Sequence, residues 1–386
     1  MNTAIVVGAG MVGLATARAL AMQGYQVTVV ERTHRPVGAS IRNFGMVWPV
    51  GQPDGELRER ALLSRSIWKQ TCEEAGIWYE KTGSLHLAYR KEEWQVLEEL
   101  ADLYRHRGYQ LLDSAKTLSR SPIVQAGGLL GSLWSPEEII VDPRQVLERV
   151  PLWLTEKFGV RFIWGRAATD ICYPAVYMGS DVTEADEIYV CSGADFETLY
   201  PEIYSEIPIT RCKLQMMRLA PPAENLRIGP ALCGGLSLLH YSSFRVAPSL
   251  AALQRVLQAE MKEYFGWGIH VMVSQNREGE LTVGDSHEYG LTHDPFDREV
   301  VNQLILQYFR RFVRIQEERV IETWNGIYPR LTNGQTELVL RPEQGVTIIN
   351  GLGGAGMTLS FGLCHQVVEQ AQGTFSMNQH TYRLPE

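Results

Sequence analysis

The first 31 residues constrain the fold of this chain more than any other segment. The apolar run Ile5-Val6-Val7 leads into Gly8-Ala9-Gly10-Met11-Val12-Gly13, and a helical pattern of small residues follows. A second β-branched run then ends at Glu31. Strand, glycine turn, helix, strand and acidic residue in this order are typical of a dinucleotide-binding unit.

Each glycine of this unit has its own physical role. Gly8 permits the tight turn, Gly10 lets a pyrophosphate approach the backbone, and Gly13 lets the helix pack close to the strand. The phosphates are expected at the helix N-terminus, at Met11 and Val12, where free N–H groups and the helix dipole favour negative charge.

Glu31 narrows the choice of dinucleotide. It follows the glycines by about twenty residues and can accept hydrogen bonds from both ribose hydroxyls. Its carboxylate would repel a 2′-phosphate, so the unit predicts FAD or NAD rather than NADP.

Length, charge and cysteine spacing exclude several classes of protein. A chain of 386 residues predicts two domains, and a net charge of −8 argues against nucleic-acid or anionic-membrane partners. No apolar run is long enough for a membrane span. The six cysteines are scattered without metal-ligand spacing, which indicates reduced thiols in a cytoplasmic protein. The N-terminal apolar stretch lacks a basic n-region, so we read it as mature structure rather than a signal peptide.

Signatures of the nucleotide domain recur along the chain. A buried strand ending in a glycine turn is predicted over residues 186–194, and another strand with a glycine-rich turn is predicted over residues 347–356. The segment from Ile209 to Val283 is β-rich with one helical interruption. This order predicts two interleaved α/β domains rather than two consecutive ones.

Together these motifs resemble the FAD-dependent oxidoreductases of the D-amino-acid, glycine and sarcosine oxidase family. The resemblance is carried by residues 8–13, 31–32, 38–43, 185–194, 283–285, 324–326 and 351–358. It implies a Rossmann-like FAD-binding domain with a parallel sheet, formed by residues 1–80, 140–208 and 323–386. It also implies a substrate domain with a mixed, mostly antiparallel sheet, formed by residues 81–139 and 209–322.

The resemblance also implies a reaction. Members of the family oxidise a C–N bond by transferring hydride from the amine-bearing carbon to flavin N5, and water then hydrolyses the imine. Oxygen or another acceptor takes up the electrons. Residues 40–47 and 83–88 resemble a bacterial clade associated with phosphonate breakdown, which implies 2-aminoethylphosphonate or its N-methyl derivative as substrate. A homo-oligomer is compatible with this assignment.

The loop after the nucleotide unit is expected to contact the flavin. Ser40, Arg42 and Asn43 supply the paired polar groups that a buried loop beside a cofactor needs, with a solvated loop as the alternative. Some members of the family tether FAD covalently through a cysteine or a histidine. This chain has no cysteine in residues 324–335 and no histidine near residues 40–45, so the resemblance implies non-covalent FAD. The predicted FAD residues are Gly8, Gly10, Met11, Val12, Gly13, Glu31, Arg32, Ser40, Arg42, Asn43, Phe44, Gly45, Met46, Ser192, Gly193, Gly326, Gly353, Gly354, Gly356, Met357 and Thr358.

The predicted substrate residues depart from the family pattern. Amino-acid oxidases of this family carry W-x-G-x-R-P, whereas this chain has Tyr328 at the arginine position and Arg330 two residues later. The departure argues against a plain α-amino acid and favours an anion such as a phosphonate, which arginine matches bidentately. His240 and Tyr241 are further candidates for binding the substrate. The alternative for His240 and Tyr241 is a role in the core, and the alternative for Arg330 is a surface position at a domain junction.

The other histidines are not expected to belong to the functional site. His86 lies on an alternating strand and is expected in the core. His287 and His293 lie in a polar run that suggests a metal site, but we expect a solvated loop and no metal.

Three competing functions remain open from the sequence. A glycine, sarcosine or D-amino-acid oxidase would share the flavin chemistry but take a carboxylate substrate. An NAD-dependent dehydrogenase would use residues 8–13, although the second glycine turn at residues 351–356 argues against it. A non-catalytic FAD-binding protein would hold the flavin without reducing it.

Overall fold

The computed structural model describes residues 1–222 and 226–371 of the protein. Residues 372–386, which the predicted division assigns to the FAD-binding domain, lie outside the described residues. None of the helices in the two described ranges combines the length and the apolar character that crossing a membrane requires.

The described ranges contain both strands and helices. The strands are β1 (Thr3–Val7), β2 (Gln26–Glu31), β3 (Met46–Val47), β4 (Tyr79–Glu80), β5 (Ser84–Ala88), β6 (Gln110–Asp113), β7 (Gly131–Ser135), β8 (Ile139–Val141), β9 (Arg161–Trp164), β10 (Asp170–Cys172), β11 (Ala175–Met178), β12 (Asp181–Glu184), β13 (Glu187–Val190), β14 (Ile209–Leu219), β15 (Ala231–Cys233), β16 (Met272–Gln275), β17 (Leu281–Gly284), β18 (Glu288–Gly290), β19 (Val320–Leu331), β20 (Leu338–Leu340) and β21 (Val346–Asn350). The α-helices are α1 (Met11–Met22), α2 (Glu56–Ala75), α3 (Lys91–Leu103), α4 (Ser114–Arg120), α5 (Pro143–Phe158), α6 (Pro201–Glu206), α7 (Leu250–Glu260), α8 (Lys262–Gly266), α9 (Glu299–Phe312) and α10 (Gly356–Ala371).

The first sheet is parallel except at one edge. Its strand order is β20-β21-β13-β1-β2-β9, with β20 antiparallel to β21. The central strand β1 is buried from Ala4 to Val7, as expected for a strand covered on both faces. Helices α1, α2, α5 and α10 share a core with one face, and the small sheet β10-β11-β12 shares a core with the other. The predicted α/β fold with a parallel sheet is therefore confirmed.

The second sheet is mixed and mostly antiparallel. Its strand order is β18-β14-β17-β16-β15-β5-β7-β6, and β19 pairs with β14. Its parallel pair is β15 with β5. Apolar residues of α3, α7 and α9 join its core. The strands of the parallel sheet come from three separate stretches of chain, so the two sheets are interleaved along the sequence.

The predicted domain division stays a proposal, and strand β19 departs from it. Residues 323–331 were assigned to the FAD-binding domain, but β19 pairs along its length with β14, from Ile209 opposite Leu331 to Leu219 opposite Val320. A strand's pairing partner is set by long-range packing, so the sequence near residue 323 carries no sign of it.

A buried carboxyl joins the second sheet to the small sheet β3-β8-β4. Glu138 is fully buried and accepts hydrogen bonds from the Val50 N–H at 3.0 Å and the Ser84 hydroxyl at 3.0 Å. Burial raises its pKa to about 7 from the usual value of 4.5. The charged form is therefore held in the core only at a cost in free energy.

We expect Glu138→Gln to remove one pH dependence of stability. Because the pKa of Glu138 is raised in the folded state, the unfolding free energy falls as pH rises from about 4.5 to about 7, by roughly 3 kcal/mol in total. The glutamine variant lacks this fall, which denaturant unfolding of both proteins at about pH 5 and about pH 8 measures. Parallel pH dependence in the two proteins would contradict the assignment.

Candidate functional site

A cavity of about 1350 Å³ is lined by residues of both sheets and by the loops that follow their strands. Most of the predicted site residues line it. The predicted FAD residues among the lining are Gly8, Gly10, Met11, Val12, Glu31, Arg32, Ser40, Arg42, Asn43, Phe44, Met46, Ser192, Gly193, Gly326, Gly353, Gly354, Gly356, Met357 and Thr358. The predicted substrate residues among the lining are His240, Tyr241, Tyr328 and Arg330.

Two predicted FAD residues lie outside the cavity lining. A Cβ at Gly13 would lie 1.8 Å from the Gly8 carbonyl oxygen, so Gly13 serves the close packing of α1 on the turn. Gly45 has a φ of 73°, and a Cβ there would lie 1.9 Å from the Val141 carbonyl oxygen. The missing side chain of Gly45 makes room for β8, and its contact with FAD stays a prediction.

The N-terminus of α1 opens onto the cavity. Gly8 has a φ of 101°, and a Cβ there would lie 2.4 Å from the Cys191 carbonyl oxygen, so only glycine fits this turn. The Ser40 hydroxyl accepts from the Met11 N–H at 2.9 Å, which connects the loop after β2 to the first turn of α1. Glu31 accepts from the Ala9 N–H at 2.9 Å, so its carboxylate lies beside the same turn.

The loop after Ser40 is fixed by hydrogen bonds rather than solvated. Arg42 donates to the Asn325 carbonyl at 2.8 Å, and Trp324 donates to the Arg42 carbonyl at 3.2 Å. Asn43 donates to the Ser40 carbonyl at 2.8 Å. These contacts hold the loop against β19, the strand that carries the predicted substrate residues.

The second glycine turn suits a flat ligand. Residues Gly353–Ala355 form a short 3₁₀-helix, and α10 begins at Gly356. Cβ atoms at Gly193 and Gly356 would meet no protein atom within 4 Å, so the backbone at both positions is open to the cavity. A cavity lined by the glycine turn of α1 and by bare backbone at α10 fits a flavin dinucleotide.

Tyr328 and Arg330 share one face of β19. Residues two apart on a strand point to the same side, and both side chains line the cavity. Burial raises the pKa of Tyr328 well above its ordinary value, so its hydroxyl stays protonated. Arg330 contacts Tyr289, with its guanidinium carbon 5.0 Å from the ring centroid. Arg330 is exposed and lines the cavity, and both its predicted role in binding the substrate anion and the surface alternative stay predictions.

His240 and Tyr241 lie between two short 3₁₀-helices, Gly235–Leu239 and Ser242–Val246, rather than on a strand. The Tyr241 hydroxyl lies 3.0 Å from the Met272 sulfur. His240 is exposed to the cavity, yet the surrounding protein lowers its pKa well below the ordinary value, with burial as the largest cause.

Two further histidines join His240. Its ring centroid lies 3.9 Å from that of His270 and 4.9 Å from that of His287. His287 is only 8% exposed, so the prediction of a solvated loop is wrong at this residue. Asp285 lies beside the cluster, 3.3 Å from His270 and 3.8 Å from His287, and burial raises its pKa to about 6.

Sequence reasoning missed several residues that line the cavity. His270, Asp285, Tyr289 and Arg245 line the cavity but were not predicted as site residues. Asp285 stood within the family motif at residues 283–285, which was the available signal, whereas His270 lies in no motif.

His86 is buried against Trp48 and Phe244, and burial lowers its pKa to about 3, which confirms its core role.

Comparisons with known proteins agree with this geometry. L-2-hydroxyglutarate dehydrogenase, mitochondrial, from Dictyostelium discoideum is 32% identical over 164 residues, which are 40% of this chain and 36% of that protein. Glycine oxidase from Bacillus cereus superposes with a TM-score of 0.78 at 16% identity, over 97% of this chain and 96% of that one. L-α-glycerophosphate oxidase from Mycoplasma pneumoniae, with FAD bound, superposes with a TM-score of 0.73 at 17% identity over 100% of both chains.

These likenesses differ in what they establish. The chain spans about a third of the length of the Dictyostelium protein, and the structural neighbours share the fold at low identity. The family described as FAD dependent oxidoreductase, in contrast, matches residues 3–370. This chain therefore belongs to the FAD dependent oxidoreductase family, and its cofactor is FAD.

Proposed function

We propose that the protein oxidises the carbon–nitrogen bond of a small anionic amine, with 2-aminoethylphosphonate or its N-methyl derivative as the preferred substrate. Bound FAD supplies the two-electron acceptor for this chemistry. The observation that carries the proposal is the position of Tyr328 and Arg330. A Cβ at Gly354 would lie 3.6 Å from the Tyr328 hydroxyl, so these residues adjoin the second glycine turn.

Two arginines favour an anionic substrate at this end of the cavity. Arg330 and Arg245 both line the cavity. The positive charge of each lowers the pKa of His240, although burial and His287 have larger effects. Their positive charges therefore act on the same small volume. A guanidinium matches the oxygens of a phosphonate bidentately, and the protonated Tyr328 hydroxyl can donate to the same group.

Neutral imidazoles suit the amine end of the substrate. Hydride leaves readily from a carbon next to a free amine, so the ammonium must lose a proton first. His240 opens onto the cavity and its lowered pKa keeps it neutral, so one ring nitrogen is available to accept a hydrogen bond or a proton. Arg330 and Arg245 would then hold the anion while His240 faces the nitrogen.

We also propose that the reaction is cytoplasmic, with oxygen or another acceptor taking the electrons. All six cysteines are free thiols, and burial raises the pKa of each of the five buried ones above its ordinary value. Unpaired cysteines agree with a reducing compartment.

Anaerobic mixing of the purified protein with four amines tests the proposal. Glycine, sarcosine, 2-aminoethylphosphonate and its N-methyl derivative are each added while the visible flavin absorbance is followed. We expect bleaching with an aminophosphonate. Bleaching with glycine or sarcosine alone would assign the protein to the amino-acid oxidases, and no bleaching with any amine would favour a non-catalytic flavoprotein.

Tyr328→Phe is expected to lower kcat/KM for the aminophosphonate by about tenfold to a hundredfold, since a hydrogen bond to a charged group contributes about 1.5–3 kcal/mol. The control is Tyr177→Phe, a tyrosine of β11 outside the cavity lining. Steady-state kinetics with an amine of similar size that lacks an anionic group should show a much smaller loss of kcat/KM. An equal loss for both amines would contradict the role of the hydroxyl in binding the anion.

A further inference from the structure

We propose that His240, His270 and His287 form a binding site for a divalent transition metal ion of the Zn²⁺ class. Each side chain offers one ring nitrogen, and the three nitrogens lie within 4.8 Å of one another. His240 precedes α7, His270 precedes β16, and His287 follows β17. His240 has one lone-pair nitrogen, which can bind either the metal ion or the amine of the proposed reaction, so the two exclude one another at this residue.

Three buried polar atoms in the cluster have no hydrogen-bond partner among the described residues. His270 is 4% exposed, and neither of its ring nitrogens is bonded. The Asp285 Oδ1 atom lies 3.3 Å from His270 Nε2 but out of line for a hydrogen bond, and it is also unbonded. Buried polar atoms are normally paired, so this arrangement indicates a missing partner.

The hydrogen bond of His287 defines which of its nitrogens is free. His287 Nδ1 lies 2.9 Å from the Gly268 carbonyl oxygen, which can only accept, so Nδ1 carries the hydrogen. Nε2 of a neutral ring then presents a lone pair, 3.8 Å from Asp285 Oδ2. A cation bound nearby would stabilise these two facing acceptors. Histidines that bind metals usually donate their other ring N–H to a carbonyl or carboxylate, as His287 does here.

The three histidine ligands select the class of metal ion. Neutral imidazole is the form of histidine that binds metals. Three imidazoles suit Zn²⁺, Cu²⁺ or Ni²⁺ better than Mg²⁺ or Ca²⁺. Zinc–nitrogen bonds of about 2.0–2.1 Å require the rings to approach further, and His240, which opens onto the cavity, has room to turn.

Aromatic packing alone explains the cluster less well. Stacked neutral rings account for the short distances between ring centroids, but they leave the His270 nitrogens and Asp285 Oδ1 without partners. A metal ion satisfies one nitrogen of His270 and leaves Asp285 as a carboxylate beside the ligands. A coordination position facing the cavity would remain open, as in zinc sites that take three protein ligands.

The test is a calorimetric titration of the FAD-loaded full chain with Zn²⁺ after dialysis against a chelator. We expect saturable uptake of one ion per chain. His240→Ala and His287→Ala should each weaken Zn²⁺ binding at least tenfold, whereas His365→Ala, outside the cavity lining, should leave it unchanged. Because His240 opens onto the cavity, its variant is the less disruptive of the two, and retained flavin absorbance verifies its fold.

Two results would overturn the proposal. One is the absence of saturable Zn²⁺ uptake by the wild-type protein. The other is uptake that persists at full affinity in both cluster variants, which would indicate that the ion binds elsewhere. Amine oxidation is recorded separately on the same preparations, so failure of the metal site and failure of the proposed reaction are distinguished.

Discussion

Arg330→Met is expected to lower kcat/KM for 2-aminoethylphosphonate or its N-methyl derivative by about a hundredfold or more. A guanidinium bound bidentately to a phosphonate makes charge-assisted hydrogen bonds of about 1.5–3 kcal/mol each, and methionine keeps an unbranched side chain without the charge. Because Arg330 is exposed to the cavity, we expect little change in folding stability. Steady-state kinetics and a thermal unfolding scan measure the two quantities.

Three controls separate anion binding from a general loss of activity. Arg330→Lys keeps the charge but not the bidentate geometry, so it should recover part of the activity. Arg161→Met removes an exposed arginine of β9 that lies outside the cavity lining and should have no effect. An amine without an anionic group should be oxidised about equally by the wild type and by Arg330→Met. Unchanged kinetics with the aminophosphonate would exclude Arg330 from substrate binding.

Gly356→Val is expected to weaken FAD binding by about tenfold to a hundredfold while leaving the protein folded. A Cβ at Gly356 would meet no protein atom within 4 Å, and the residue has helical backbone angles that valine can adopt. The added methyl groups enter the space that we assign to the flavin, where overpacking costs about 1–3 kcal/mol. Titration of the FAD-free protein with FAD, followed by flavin fluorescence, measures the dissociation constant.

Gly266→Val is the matched control for this experiment. Gly266 ends α8, and a Cβ there would also meet nothing within 4 Å, but the residue does not line the cavity. Its variant should bind FAD like the wild type. If Gly356→Val also bound FAD normally, the flavin would lie elsewhere than beside the N-terminus of α10.

The nucleotide unit could be predicted from sequence because its signals are local. The glycines at positions 8, 10 and 13 and the acid at position 31 belong to one continuous strand-turn-helix-strand segment. Their spacing alone determines the turn, the helix start and the carboxylate beside it. The contacts of Glu31 and Ser40 with this turn agree with that expectation.

The histidine cluster could not be predicted because it is assembled from distant segments. His240, His270 and His287 belong to three separate connections, and only the antiparallel packing of β16 and β17 brings the last two together. The same reason explains why β19 was divided between domains, since its pairing with β14 joins segments about a hundred residues apart. The contact of Gly45 with β8 could not be predicted, because a glycine in a loop does not reveal which backbone approaches it.

The most direct test of the account is single-turnover flavin reduction without oxygen, using three matched compounds. These are 2-aminoethylphosphonate, 2-hydroxyethylphosphonate and ethanolamine, which differ in the amine or in the anion. We expect rapid loss of the oxidised flavin absorbance with the aminophosphonate and much slower loss with the other two. Faster reduction by the hydroxy compound, or equal reduction by ethanolamine, would contradict an oxidoreductase that selects an anionic amine.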